Sequence, residues 1–282
     1  MTKRFSPTVR RRRLASEMRR YREAAGLTLE QAARHLDSSH SRLSRIETSQ
    51  VGIRPPDLRV LLELYEVPPD AREVMITLCR ESRQRGWWHG YGNAVPEWFQ
   101  FYVGLESEAA GLAIYESQFV HGLLQTEQYA RAVLHAAVNP LPPNELERKV
   151  QLRMDRQTLL TDNGLRMRVV LDEAVLRRPI GGPATLRNQL QHLLEVTDLP
   201  NLSLQVLPLA AGASVLNSFT IIDFPDPADQ AVIFVESLTG ALYLEKPEEI
   251  RDYTLKFDYL RAEARDPAQS TQTIAELVKE LT

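Results

Sequence analysis

The sequence is poor in cysteine and lacks any long apolar run. Its single cysteine, Cys79, has no partner in the chain for a disulfide, which fits a reducing compartment such as the cytoplasm. No run of about 18 apolar residues occurs, so we predict no membrane span. The basic N-terminus continues into Leu14-Ala15-Ser16-Glu17 and not into an apolar segment, so we expect no secretory signal.

The short motifs of common enzymes are also missing. There is no glycine-rich phosphate loop, dinucleotide fingerprint, zinc-protease helix, nucleophile elbow or paired-cysteine motif. The six histidines are too widely spaced for a metal-binding pair on one helix. We therefore predict a protein that is not an enzyme and that requires no cofactor or metal.

Two segments of the C-terminal half have weak signals for chemistry. Asp172 and Glu173 follow a predicted strand and could serve acid–base catalysis, but acids are also favoured at the start of a helix, which is the interpretation we prefer. Gly181-Gly182-Pro183 precedes a predicted helix and could hold an anion, although a plain turn is favoured.

Charge is distributed unevenly along the 282 residues. Residues 1–59 contain 14 Lys and Arg against 6 Asp and Glu, whereas the remaining residues contain 20 against 31. A basic segment on an acidic body favours a polyanionic partner at one end only. The length predicts about two domains.

Residues 14–84 predict a bundle of five short helices. The first has an apolar stripe of Leu14, Met18, Tyr21 and Ala25, with its arginines, Arg22 among them, expected off the stripe. Thr28-Leu29-Glu30-Gln31 is typical of a capping box at the start of the second helix. Two further amphipathic helices follow the third, after Arg54-Pro55-Pro56 and after Pro68-Pro69.

The third predicted helix, Ser39–Thr48 with Ser39 as N-cap, separates into two faces. Leu43 and Ile46 point to one side, and a polar face of Ser41, Ser44 and Arg45 points to the other, with His40 beside it and Arg42 at the boundary. Short side chains let a helix enter a major groove, and arginine can bond guanine through O6 and N7 together. The second and third helices therefore predict a helix-turn-helix that binds double-stranded DNA.

The predicted DNA-contacting set has seven members. Thr28 in the capping box and Arg54 in the loop after the third helix join the residues of that helix. The full set is Thr28, His40, Ser41, Arg42, Ser44, Arg45 and Arg54. The alternative is a helical bundle with a purely structural role, in which the arginines are simply solvated. The order of the helices, the short turns between them, their caps and the basic charge of the segment together disfavour this alternative.

Residues Gly26–Ala33 and Ser39–Glu47 closely resemble the Xre/Cro/C1-type repressor module. The resemblance implies a lambda-repressor-like helical fold, base contacts from His40, Ser41 and Arg45, and phosphate or flanking contacts from Arg42 and Ser44. Asp37 stands where that family usually has glycine in the turn, and aspartate tolerates the left-handed backbone conformation better than most residues.

The rest of the chain resembles a large actinobacterial regulator family common in Streptomyces. That resemblance implies an Xre module followed by a long C-terminal domain, antitoxin-like in some members, and a small partner protein encoded by a neighbouring gene. The matching segments are Gly86–Tyr91, Pro96–Phe99, Tyr115-Glu116, Gly122–Ala130, Val170–Arg178 and Leu238–Gly240.

The C-terminal half predicts an α+β domain with a largely antiparallel sheet. We expect strands at 166–171, 202–207, 219–224, 232–236 and 241–244, and helices near 96–110, 125–138, 142–161, 183–197, 247–265 and 270–281. The helix at 142–161 is expected to be amphipathic and solvated, with a partner-binding face as the alternative. The predicted organisation is a basic arm at 1–13, a DNA-binding domain at 14–84, an aromatic linker at 85–98 and a regulatory domain at 99–282.

The sequence thus predicts a cytoplasmic, nucleoid-associated transcriptional regulator. We expect it to bind a palindromic operator as a homodimer, with the C-terminal domain sensing a ligand or a small partner protein. The alternative is an antitoxin-like protein whose main role is to bind that small partner, with DNA binding for autoregulation.

Overall fold

The computed structural model describes residues 7–136, 141–162, 164–211, 217–227 and 229–281. The chain divides into two compact units, one ending at His89 and the other beginning at Gly90. Each unit is described by itself below. No helix in these described ranges combines the length and apolar character that crossing a bilayer requires.

The N-terminal unit is helical, as predicted. Its five described helices are α1 (Pro7–Ala24), α2 (Leu29–His35), α3 (His40–Glu47), α4 (Pro55–Leu64) and α5 (Pro69–Glu81). α1 begins inside the segment predicted as a basic arm, so residues 7–13 are helical, and residues 1–6 of that arm lie outside the described residues. Prolines at the first turns of α4 and α5 suit positions where a backbone N–H would lack a helical partner.

One apolar core holds these helices together. Almost completely buried in it are Met18 of α1, Leu43 of α3, and Leu58, Leu61 and Leu62 of α4. Ala32 and Ala33 are also buried, and their small side chains let neighbouring helices approach α2 closely. Cys79 belongs to the same core, as a small apolar residue, and its thiol contacts the carbonyl of Ile53 at 3.4 Å.

The C-terminal unit is an α+β domain with a six-stranded mixed sheet. The order of the described strands is β3-β2-β1-β4-β5-β6. The strands are β1 (Gly111–Glu116), β2 (Arg166–Asp172), β3 (Leu202–Leu207), β4 (Phe219–Asp223), β5 (Val232–Ser237) and β6 (Gly240–Leu244). The helices are α6 (Glu97–Glu106), α7 (Glu127–His135), α8 (Pro143–Arg156), α9 (Thr158–Asp162), α10 (Glu173–Arg177), α11 (Pro183–Val196), α12 (Pro247–Glu263) and α13 (Pro267–Glu280).

The predicted fold class is confirmed, and five of the six strands lie where expected. The pairings of β1 with β4, β4 with β5 and β5 with β6 are antiparallel, and β4 is central as its apolar run indicates. β1 was not predicted, and its pairing with β2, like that of β2 with β3, is parallel. Each parallel pair requires a helical crossover, which α7 to α9 and α10 to α11 supply.

Aromatic side chains cover both faces of the sheet. On one face, Phe219 packs edge-on against Tyr253 and Phe257 of α12, with ring centroids 5.0 and 6.4 Å away. On the other face, Tyr102 of α6 lies 4.2 Å from the ring of Phe234. Because side chains alternate along a strand, each strand contributes to both layers.

The prediction that the helix near 142–161 is solvated is wrong at its C-terminal end. Arg156 of α8 is only 2% exposed and forms two 2.7 Å hydrogen bonds to Glu106 of α6. Burial works to lower the pKa of Arg156, but the Glu106 carboxylate outweighs it and raises that pKa above its usual value. This buried pair joins α6 to α8 beneath the sheet.

The two segments with weak sequence signals for catalysis or anion binding have structural explanations. Asp172 caps α10 by accepting a 2.9 Å bond from the amide of Ala174, and Glu173 pairs with Arg177 and Arg265, so the helix-start interpretation is confirmed. The segment Gly181–Gly182 forms the turn before α11.

The aromatic linker is partly ordered by close packing. Residues Trp87–Ala94 form short 3-10 turns with an interruption at Gly92. Trp88 is 2% exposed, and its ring would lie only 2.3 Å from a Cβ atom at position 86, so only glycine fits there.

We expect Glu106→Gln to lower the free energy of unfolding of the C-terminal unit by about 3–5 kcal/mol, because it leaves the buried charge of Arg156 without a counter-charge. Urea denaturation followed by tryptophan fluorescence and circular dichroism measures this. Glu147→Gln is the control, since Glu147 pairs with Arg131 at the surface and should change the midpoint little. Equal midpoints for both variants would contradict the role given to the buried pair.

Candidate nucleic-acid interface

The turn between α2 and α3 is built from local hydrogen bonds. Thr28 caps α2 in the predicted capping box, accepting from the amide of Gln31 at 3.2 Å while the Gln31 side chain accepts from the amide of Thr28 at 2.8 Å. After α2, Asp37 takes the left-handed conformation with φ 52°, and the amide of Ser38 donates to Ala33 O at 2.9 Å. Ser39 then caps α3 by accepting from the amide of Arg42.

The two faces of α3 separate as the sequence predicts. Leu43 and Ile46 are 0% and 3% exposed and anchor the helix in the core. His40, Ser41 and Arg45 are exposed. Within the described part of the chain, these three side chains have no hydrogen bond or ion pair to the protein, so they are free to contact a ligand.

A buried ion pair ties α3 to α1. Arg22 donates from Nε to Glu47 at 2.7 Å and from Nη2 to the second carboxylate oxygen at 2.9 Å. A third bond, from Nη1 to Leu27 O at 2.7 Å, holds the loop between α1 and α2. The side chains are 8% and 4% exposed, and the hydrogen bonds from Arg22 to Glu47 raise the pKa of Arg22. This arrangement corrects the expectation that Arg22 lies off the buried stripe.

The same pair is close to a buried tyrosine. The hydroxyl of Tyr65 in the core has no hydrogen-bond partner among the described residues. Burial, followed by the charge of Glu47, raises the pKa of Tyr65. The phenol therefore stays neutral beside the buried ion pair of Arg22 and Glu47.

Arg42 and Arg54 share one carboxylate. Arg42 of α3 reaches Asp57 at 3.0 Å, and Arg54 binds the same side chain at 3.2 Å. Burial works to raise the pKa of Asp57, but the hydrogen bonds from Arg54 and Arg42 prevail and lower it. These two arginines therefore lie together at one end of the helix-turn-helix, with part of their charge already compensated.

The seven predicted residues thus fall into two groups. His40, Ser41 and Arg45 form one exposed polar surface on α3, which we call the reading face. Ser44 is half-buried, the Thr28 hydroxyl is used in the capping box, and Arg42 and Arg54 bind Asp57. A guanidinium with free N–H groups, flanked by short side chains, suits recognition of guanine in a major groove.

Two family models match this chain, and the first of them agrees with the helix-turn-helix geometry. Residues 13–75 match a family described as Helix-turn-helix domain, and residues 99–276 match Domain of unknown function (DUF5753). The second match covers well over half of the chain. This chain belongs to the DUF5753 family. No curated protein and no solved structure matches it.

The helix-turn-helix match supports a DNA-binding regulator, and the DUF5753 unit is the α+β domain described above. In the described ranges of the whole chain, no group of three or more His, Cys, Asp and Glu residues is placed to hold a metal ion.

Sequence reasoning missed the residues that position the reading face. Arg22 comes four positions after the buried Met18, so its helical position already indicated burial. Glu47 comes one position after Ile46 and four after Leu43, at the edge of the buried face. A buried arginine requires an acidic partner, but the sequence alone could not show which carboxylate supplies it.

We expect Glu47→Gln to lower the free energy of unfolding of the N-terminal unit by about 3–5 kcal/mol, because the Arg22 guanidinium stays buried without its counter-charge. Thermal and urea denaturation measure the change. Glu30→Gln serves as the control, since Glu30 pairs with Arg34 on the exposed side of α2. If the two variants were equally stable, Arg22 and Glu47 would not be what holds α3 in place.

Proposed function

We propose that the protein is a sequence-specific transcriptional regulator of the Xre type that reads double-stranded DNA with α3. His40, Ser41 and Arg45 contact bases, while Thr28, Arg42, Ser44 and Arg54 contact phosphates or flanking positions. The observation that carries this proposal is the reading face: an exposed arginine without an internal partner, on a helix anchored by Leu43 and Ile46.

We further propose that two copies bind a palindromic operator as a homodimer. A single α3 of eight residues contacts few base pairs, whereas two symmetric copies on half-sites about one helical turn apart supply the affinity and selectivity of typical operators. The basic charge of residues 1–59 supports attraction to the phosphate backbone.

The DUF5753 unit is the proposed regulatory part. In this proposal, a small ligand or a small partner protein binds this unit and changes DNA binding. The resemblance to actinobacterial regulators, some of them antitoxin-like, also supports DNA binding by the N-terminal unit and regulation by the C-terminal unit. Such a regulator acts in the cytoplasm, where the chromosome is accessible.

We expect Arg45→Ala to weaken binding to the DNA upstream of the protein's own gene by about five- to 150-fold, because a bidentate guanine contact contributes about 1–3 kcal/mol. Gel-shift titration at fixed salt measures this. The loss should be much smaller on a fragment with scrambled sequence, since a base contact matters only at the correct base.

Arg80→Ala is the matched control for this experiment. Arg80 is an exposed arginine on α5, outside the predicted interface, and its removal should leave operator binding nearly unchanged. Equal affinity of wild type and Arg45→Ala would refute base reading by α3. An equal loss on operator and scrambled DNA would instead make Arg45 a phosphate contact.

A further inference from the structure

The sheet of the DUF5753 unit has two outer strands, β3 and β6, whose free edges differ. At the β3 edge the backbone of Val206 is already bonded. Its amide donates to Ser270 Oγ at 2.9 Å, and its carbonyl accepts from the amide of Arg265 at 2.9 Å. Because Ser270 is completely buried, the start of α13 covers this edge of the sheet at Val206.

The edge at β6 is open. A turn of two residues joins β5 to β6, and Ser237 pairs with Gly240 across it. The pair next to such a turn exchanges both of its hydrogen bonds, so every second residue from Gly240 onwards directs its backbone groups towards β5. Ala241 and Tyr243 direct their N–H and C=O groups away from the sheet. None of these four groups is hydrogen-bonded within the part of the chain that the structure describes.

The side chains along this edge are apolar and accessible. β6 contains neither a charged residue nor a proline, the two features that commonly protect an edge strand from pairing. On one face of the sheet, Leu242 is 60% exposed although it pairs with the buried Val235. On the other face, Tyr243 packs edge-on against the half-buried Phe101 of α6, with ring centroids 4.7 Å apart. Apolar surface therefore continues from the strand onto α6.

The strand is complementary to itself in one antiparallel register. If Ala241 of each copy is opposite Tyr243 of the other, all four free backbone groups of each copy are used in four hydrogen bonds. Leu242 then lies on the two-fold axis opposite its own equivalent, in a pair whose Cα atoms are about 4.5 Å apart. Small residues are opposite large ones in this register, Ala241 beside Tyr243 and Gly240 beside Leu244.

We propose that β6 is the homodimer interface of the protein, and that a second copy of this chain extends the six-stranded sheet to twelve strands. This inference rests on the proposed homodimer and deepens it by naming its surface. Any extended segment could supply backbone groups to an open edge. The second copy is favoured because β6 read in reverse places its own small residues opposite its large ones and brings no charge to the axis.

The size of this surface predicts a weak dimer. Five residues of β6 from each copy, with the adjoining part of α6, form an interface at or below the lower end of the range of about 1,200–2,000 Å² that stable complexes bury. We therefore expect dissociation at micromolar concentrations. An operator that holds two copies on neighbouring half-sites should favour the dimer, because each copy raises the effective concentration of the other.

Sedimentation velocity of the full chain over a range of micromolar concentrations measures the dimer. We expect Leu242→Lys to raise the dimer Kd at least about tenfold, since two like charges would face each other across the axis. Leu242 is exposed in the single chain, so the lysine should leave the fold intact, which circular dichroism verifies.

Leu255→Lys is the matched control, because Leu255 is a 52% exposed leucine on α12, outside the proposed interface. Its dimer Kd should stay close to that of the wild type. A wild type that sediments as a monomer at every concentration would overturn the proposal. An equal rise in Kd for the two lysine variants would overturn it as well.

A cysteine on the two-fold axis tests the register. The short Cα separation expected at Leu242 suits a disulfide, so oxidised Leu242→Cys should give a covalent dimer on a non-reducing gel. Cys79 is completely buried and should not react, and Leu255→Cys should cross-link far less. A dimer seen by sedimentation in which Leu242→Cys fails to cross-link would show that another surface joins the copies.

Gel shifts with Leu242→Lys separate this interface from the proposed function. Loss of the dimer together with weaker operator binding supports both. Loss of the dimer with unchanged operator binding would leave the interface in place and reject operator binding by a homodimer. An unchanged dimer, with operator binding that still depends on Arg45, would reject the interface and leave the proposed function in place.

Discussion

The ion pair of Arg22 and Glu47 is the interaction on which the DNA-binding unit depends. It crosses from α1 to the last residue of α3, and the third bond of Arg22 secures the loop that leads into α2. Apolar contacts of Leu43 and Ile46 anchor α3 in the core, but they lack the directionality of a hydrogen bond. The bidentate hydrogen bond between the planar guanidinium of Arg22 and the planar carboxylate of Glu47 has a preferred direction. It therefore defines how the reading face is oriented.

Both units contain a buried ion pair that joins two helices. Beneath α3, two hydrogen bonds join Arg22 to Glu47, and burial keeps the nearby Tyr65 phenol neutral. In the DUF5753 unit, Arg156 and Glu106 form a similar pair between α8 and α6. Such a pair fixes the relative position of its two helices, because either group without its partner would be an uncompensated buried charge.

Local patterns were sufficient to predict the helix-turn-helix. The capping box at Thr28, the left-handed turn at Asp37 and the two faces of α3 depend on residues at most four positions apart. β1 escaped prediction because the run Gly111–Glu116 is short and buried on both faces, so it lacks the alternation that marks a half-exposed strand. The partners of Arg22, Arg42 and Arg156 are 25, 15 and 50 positions away, and at these separations a single sequence gives no pairing signal.

The carboxylate of Asp57 holds two arginines of the candidate interface at once. Arg54 is the more exposed of the two, with 67% of its side chain accessible against 37% for Arg42. Under the proposed function, a phosphate that drew Arg54 away from Asp57 would leave this carboxylate with Arg42 of α3 as its remaining arginine. The more accessible arginine could therefore leave while α3 stays joined to α4.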